Sequence, residues 1–298
     1  MTTTTDAPPV PASKSGVGNM VQAAFWFAVM GLFVKLASQT LPTMAIVFAR
    51  GTITLTIAAA VLWRAKLSPF GGEWRLLLTR GLVGSCAMIC FYSAVVHLPL
   101  AEATVIHQTA PLFTAILAAW LLHERLHARV LLSLLGAFGG VLLIAQPVWL
   151  FGGTADPATP DAWVFAFVAL LGAVLSAVAY VTVRRLGRSE NPLVVVFWLP
   201  LLTIPVSAPF ALPAWIWPDA KTWIWLLGIG VTTQLAQVSL TKGLAREAAA
   251  RATAIGYLQV AFAALFGAVV FADVPDAVSW TGMALIVLAL LFGTTRAR

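Results

Sequence analysis

Residues 223–271 read WIWLLGIGVTTQLAQVSLTKGLAREAAARATAIGYLQVAFAALFGAVVF, and residues 74–122, 149 positions earlier, read WRLLLTRGLVGSCAMICFYSAVVHLPLAEATVIHQTAPLFTAILAAWLL. Laid over each other without a gap, Trp74 falls on Trp223, Leu77 on Leu226 and Gly81 on Gly230. Ala101, Ala103, Thr104 and Ile106 fall on Ala250, Ala252, Thr253 and Ile255, Phe113 falls on Phe262, and just beyond, Glu124 falls on Asp273. The offset is half of the 298 residues, so the chain reads as two related halves. Each stretch holds two apolar runs. Neither run alternates as a barrel strand would, and each is long enough for a helix that crosses about 30 Å of hydrocarbon.

Reading outward gives ten such runs, at 18–38, 42–63, 74–96, 101–121, 129–146, 161–182, 192–213, 222–243, 250–271 and 277–294. Five runs per half is an odd number, so the second half enters the membrane from the side opposite to the first. The expected fold is all-α integral membrane, with ten transmembrane helices as two inverted five-helix repeats. Such repeats place a substrate site near mid-membrane where the halves meet. The division that follows is a disordered cytoplasmic tail at 1–17, a first repeat at 18–147, a periplasmic linker at 148–160 and a second repeat at 161–295. The seventh run carries Pro192, Pro200, Pro205, Pro209 and Pro213 and is expected to be kinked.

Composition excludes a water-soluble reading. The chain is 60% hydrophobic and only 10% charged, with a mean hydropathy of +0.93, whereas a soluble domain carries about 25% charged residues. Lipid must therefore be the solvent for most of the surface, and backbone groups must be satisfied within helices. The net charge of +7 would point to nucleic acid in a soluble protein. Here the bases form short blocks between apolar runs: Arg64, Lys66 and Arg75; Arg125 and Arg129; Arg184, Arg185 and Arg188; Lys242, Arg246 and Arg251; Arg296 and Arg298. With ten spans all these blocks share one side, and cytoplasmic loops carry the bases. Both termini are thus expected in the cytoplasm, in a bacterial inner membrane, with no nucleic-acid partner. The other side holds Lys35 and Lys221 and is otherwise acidic, with Glu102, Asp156, Asp161, Asp219, Asp273 and Asp276. Cys86 and Cys90, four apart in one run, read as small buried packing residues.

The chain resembles the drug/metabolite transporter superfamily, specifically its EamA-type members with ten spans. The residues that carry the resemblance are Lys35, Pro42 and Arg50, then Phe91-Tyr92-Ser93-Ala94 in span 3, Ala101-Glu102-Ala103, Pro111 and Glu124-Arg125 in span 4, and Gly136, Gly139 and Gly140 in span 5. The second half departs from the pattern with Val260 at the equivalent of Pro111 and Asp273 where a Glu is usual. The resemblance implies export or exchange of amino acids or similar metabolites, through a cavity lined by spans 1–4 and 6–9.

Among the residues themselves, Arg50 is the most informative. An Arg inside a span costs about 2.5–3.5 kcal/mol by insertion scales and turns toward protein or a water-filled cavity. It is either a packing partner or the anchor for a substrate carboxylate, which a guanidinium grips at two points. Polar and aromatic residues within other spans mark the rest of a candidate wall: Tyr92, His107, Gln108, Gln234, Gln237, Tyr257 and Trp26. Gln234, Gln237 and Thr241 recur at helical spacing on one face. The expected substrate is a small metabolite, an amino acid by preference. A broad exporter of drugs or cations is the alternative within transport, although the deep charge here is positive. Gly136-x-x-x-Gly140 supports close helix packing, either within the chain, as preferred, or in a homodimer; monomer and homodimer both stay open.

The rival class is an intramembrane zinc protease. His123-Glu124-Arg125-Leu126-His127 matches H-E-x-x-H, in which two His on one helix face hold zinc and the Glu acts as base. A catalytic zinc needs a third protein ligand, and the next acids, Asp156 and Asp161, fall on the opposite side of the membrane. No metal and no cofactor are therefore expected. There is no G-x-x-x-x-G-K-[ST] phosphate loop, and no Asp or Glu lies deep in a span.

Overall fold

A computed structural model describes residues 16–152, 162–272 and 274–294, and the described residues form helices without strands. In chain order the helices are α1 (Val17–Ala37), α2 (Thr43–Arg64), α3 (Trp74–His97), α4 (Leu100–His107), α5 (Ala110–Leu121), α6 (Ala128–Ala145), α7 (Val148–Phe151), α8 (Ala162–Leu186), α9 (Pro192–Ala211), α10 (Ala220–Arg246), α11 (Ala249–Ile255), α12 (Leu258–Phe271) and α13 (Ala277–Thr294). Taking α4 with α5 and α11 with α12, nine spans have the length and apolarity to cross a membrane, and α13, apolar over Ala277–Gly293, supplies the tenth. The expected tail, up to residue 15, and most of the expected linker, 153–160, lie outside the described residues, as does Asp273. The start of that linker is the single helical turn α7.

Helix starts follow local chemistry. Asn191 accepts from the Leu193 N–H with Pro192 as the first helical residue of α9. Asp219 accepts from the Thr222 N–H at 2.8 Å ahead of α10, and Asp276 accepts from the Ser279 N–H at 2.8 Å ahead of α13. Each carboxylate or amide meets an N–H that the first turn cannot satisfy itself.

Two expected continuous spans are broken. The fourth stops at His107 and resumes at Ala110; the ninth stops at Ile255 and resumes at Leu258. In both places the ladder tightens to bonds three residues back: Thr109 N–H to Ile106 O at 3.1 Å in one, and Gly256 N–H to Thr253 O at 3.0 Å in the other. Pro111, which has no N–H to give His107, accounts for the first break. Val260 stands at the equivalent place in the second half, so the second break has another origin. Gly256 lies in it, and the Val260 N–H turns to Tyr257 O at 3.0 Å. Meanwhile α9 runs unbroken from Pro192 to Ala211 with Pro200, Pro205 and Pro209 inside it. The Thr203 hydroxyl donates to Leu199 O and the Ser207 hydroxyl to Thr203 O, carbonyls other than those of Val196, Leu201 and Pro205, which the prolines four residues later leave without an N–H.

The packing obeys a two-fold relation. The first helix of each half lies on the third of the other (α1 on α10, α8 on α3), the second helices pair (α2 with α9), and so do the fifth (α6 with α13). α6 and α13 approach so closely at Gly140 and Gly282 that a Cβ on either glycine would stand 2.6 or 2.7 Å from the other's carbonyl oxygen. Gly136 also faces α13, at Ala289, so the motif is used within the chain. Cys86, expected to be buried, is exposed, and Cys90 is half-buried.

Links α2–α3, α5–α6, α8–α9 and α10–α11 share one end of the bundle, the base-rich end. That end is fastened by polar bonds. Arg184 donates through Nε to Glu124 Oε1 at 2.8 Å and through Nη1 to the carbonyls of Leu244 and Ala245. Glu124 Oε2 also accepts from the Ala249 N–H at 2.8 Å, at the start of α11. Glu190 accepts from the N–H groups of Gly72 and Glu73, both at 2.6 Å. Glu247 accepts from the Gly16 N–H at 2.9 Å.

Candidate functional site

A cavity of about 320 Å³ lies at mid-height, walled by α1–α4, α8–α10 and α12. Of the residues expected to form the site, it gathers Arg50, Tyr92, His107, Gln108 and Gln237. Each is polar in a stretch where lipid offers no hydrogen bonds, so each turns inward.

Arg50 lies a third of the way along α2 and is half-buried. Its Nη1 is 3.7 Å from the Met30 sulfur and its Nη2 touches the Met88 sulfur. Thioethers are weak acceptors, so the guanidinium keeps donors to offer. His107 ends α4 and lies against Phe91, ring centroids 4.4 Å apart and planes tilted by 40°, and its Nδ1 is buried without a partner among the described residues. Gln259 joins the wall from α12.

Three expected site residues lie elsewhere. Tyr257 is wholly buried, and its hydroxyl donates to the Gln108 carbonyl at 2.9 Å. Gln108 and Tyr257 occupy equivalent positions in the two halves, so this bond joins the two helix breaks across the two-fold. Tyr257 lines a smaller void of about 50 Å³, which shares Phe27, His107, Gln108, Tyr180 and Gln259 with the main cavity and continues toward Met20 and Thr253 at the base-rich end. Gln234 is buried away from the cavity, its Oε1 without a partner among the described residues. Trp26 is half-buried and meets Phe25 edge-on.

Arg80 was not among the expected site residues. It lies early in α3, only 4% exposed, and lines the cavity together with Tyr180. Its Nη2 donates to Gln237 Oε1 at 3.3 Å. A charge six residues inside an apolar run was the available signal; the run's neighbouring Arg75 belongs to the block that membrane orientation explains. The described cavity lining contains no Asp or Glu.

The zinc pattern does not form a zinc site. Its residues lie between the end of α5 at Leu121 and the start of α6 at Ala128, and His123 has a left-handed backbone, φ 53°. Both His are exposed, Glu124 is held by Arg184 and Ala249, and no group of three metal-binding side chains occurs among the described residues.

Comparison with known proteins places the chain among transporters. The model of the EamA-like transporter family matches residues 14–146 and again 163–295. The Pseudopaline exporter CntI of Pseudomonas aeruginosa is 33% identical, over 93% of this chain and 95% of that protein. Solute carrier family 35 member G1 of Mus musculus is 30% identical, over 96% of this chain and 79% of that protein. A solved crystal structure superposes with a TM-score of 0.78 at 21% identity, covering 94% of this chain and 96% of that one; it speaks to the fold.

Proposed function

The chain belongs to the EamA-like transporter family and is a membrane transporter, not an enzyme; from that premise we propose that it exports a small carboxylate-bearing metabolite, an amino acid or a compound built from one, across a bacterial inner membrane by alternating access. The observation that carries the substrate class is Arg50, a cation inside the membrane-spanning part of α2, facing the cavity with thioethers around its guanidinium. A buried charge without a counter-charge is costly, and a substrate carboxylate would supply one. A cationic substrate would meet repulsion instead. The name of the Pseudomonas relative supports export as the direction.

Orientation follows from the bases. The base-rich end faces the cytoplasm and both termini lie there. Glu124, Arg184 and Glu190 then close the cytoplasmic side, below the Tyr257–Gln108 bond. Inverted repeats alternate access by rocking one set of helices about a fixed mid-membrane site.

The test is uptake by proteoliposomes of a panel of amino acids and of the same compounds amidated at the carboxylate. Wild type should prefer the acids. Arg50→Lys keeps charge but loses the planar two-point grip, so it should weaken transport, by about tenfold if one charge-assisted hydrogen bond of about 1.5 kcal/mol is lost. Arg50→Ala should erase the preference for acid over amide. A well-folded Arg50→Ala with an unchanged ratio would overturn the carboxylate reading.

A further inference from the structure

Arg80 brings a second positive charge to the same cavity, and what surrounds it says what it awaits. Its side chain is 4% exposed, and among the described residues it takes part in no ion pair. Its one hydrogen bond, 3.3 Å to Gln237 Oε1, goes to a neutral amide, and its Nε is buried without a partner among the described residues. The chain also makes room for it. Gly84 follows one turn later on α3, and a Cβ there would collide with the Arg80 guanidinium. The guanidinium therefore lies along the helix surface toward the cavity.

Two guanidinium groups thus share about 320 Å³ whose described lining offers no carboxylate. One anion would leave one of them uncompensated in a medium where an unpaired charge is costly. Their spacing can be read along α3. The Arg80 guanidinium lies against Gly84, and Met88, which touches Arg50, is four residues beyond Gly84, about 6 Å along the helix axis at 1.5 Å per residue. We propose that Arg80 is a second anion-binding residue and that the transported metabolite carries two acidic groups at separated positions, one for Arg50 and one for Arg80. Gln237, already bonded to Arg80, would hold the Arg80 guanidinium in place for the second acid. Aromatic faces of Phe91 and Tyr180 would cover the apolar stretch between the acids. The inference rests on the carboxylate reading of Arg50 and adds the second charge.

The test uses purified full-length protein and direct binding measured calorimetrically at pH 7.5 in a buffer free of carboxylates. The probes are α,ω-dicarboxylates of rising length, from succinate to sebacate, each beside its monoamide. Wild type should bind at least one diacid ten or more times tighter than its monoamide, with an optimum at intermediate length. Arg80→Gln should bring that diacid to the level of its monoamide, and Arg80→Lys should keep part of the advantage. The wild-type ratio needs no variant, so a misfolded Arg80→Gln does not rescue the proposal. Equal binding of every diacid and monoamide, or an advantage that persists in folded Arg80→Gln, overturns it. If monoacids still exceed their amides and Arg50→Ala abolishes that difference, the single-carboxylate reading survives this failure; if acids never exceed amides, both fall.

Discussion

Asp276 gathers more bonds than an exposed carboxylate usually does. It accepts from Gln146 Nε2 at 3.0 and 2.9 Å on its two oxygens and from the Ser279 N–H. These bonds, Gln146 first, hold its pKa below the ordinary value, and Asp219 is held low in the same direction by Thr222. A depressed carboxyl stabilises the fold above its unfolded pKa of about 3.9 and loses that contribution as pH falls through its lower folded value. The melting temperature in detergent should therefore decline from pH 5 toward pH 3, and less steeply in Asp276→Asn; identical slopes would refute the role. His123 and His127 are the opposite case. Both are exposed on the α5–α6 link, so the double replacement by Ala should leave transport within about twofold, as surface changes cost less than about 0.5 kcal/mol; loss of transport would give the pair a role the geometry denies. At this scale Arg50, His107 and Gln108, polar groups deep in a span, drew attention by their depth and line the cavity, whereas Arg80, just as deep, was masked by its neighbour Arg75 in a block that orientation explains. It misled where periodicity stood in for a face. Gln234 and Gln237 share a stripe three residues apart, which is still about 60° of rotation on a helix of 3.6 residues per turn, and only Gln237 reaches the cavity.

Among the elements, spans were legible because about 20 apolar residues have one use in lipid. The interruptions were not. Proline drew attention to α9, which stays whole, while the second break falls where the sequence has Val260 rather than Pro. A bond from the Tyr257 hydroxyl to the Gln108 carbonyl joins that break to its equivalent across the two-fold, and no local rule reports such a contact. The ends of four helices also meet at Glu124. Arg184 reaches it from α8, and the same guanidinium closes the last turn of α10 while Glu124 caps α11. Both side chains of the ion pair are mostly buried, 14% and 13% exposed. Glu124→Gln leaves Arg184 without its counter-charge, so stability should drop by about 3 kcal/mol, and the base-rich end should become reactive first. Cysteine accessibility at Ala245, measured with and without that change, checks this; equal rates would mean the clasp does not hold the end shut.

For the molecule as a whole, orientation is the most direct consequence of the charge pattern. In a background with Cys86 and Cys90 replaced by Ser, a cysteine at Gln39 should react with an impermeant reagent in intact cells, while cysteines at Ser68 and Ser189 should not; all three positions are exposed at helix links. Reaction at Ser189 from outside would remove the ten-span arrangement. The two-fold pairing of the halves was visible in the 149-residue offset, whereas which helix lies on which was not, because apolar faces in lipid carry little pairing code beyond small residues. One of those pairings sets a timetable. Gly140 of α6 is completed by Gly282 of α13, and the ribosome makes α13 about 150 residues after α6. At 5–20 residues per second, α6 spends roughly 8–30 s in the bilayer with its glycine face turned to lipid or to some temporary neighbour. The seam that closes the two halves is thus the one formed last in synthesis, and until then the growing chain presents a sticky half-interface to any helix, insertase or membrane protease that can read small residues.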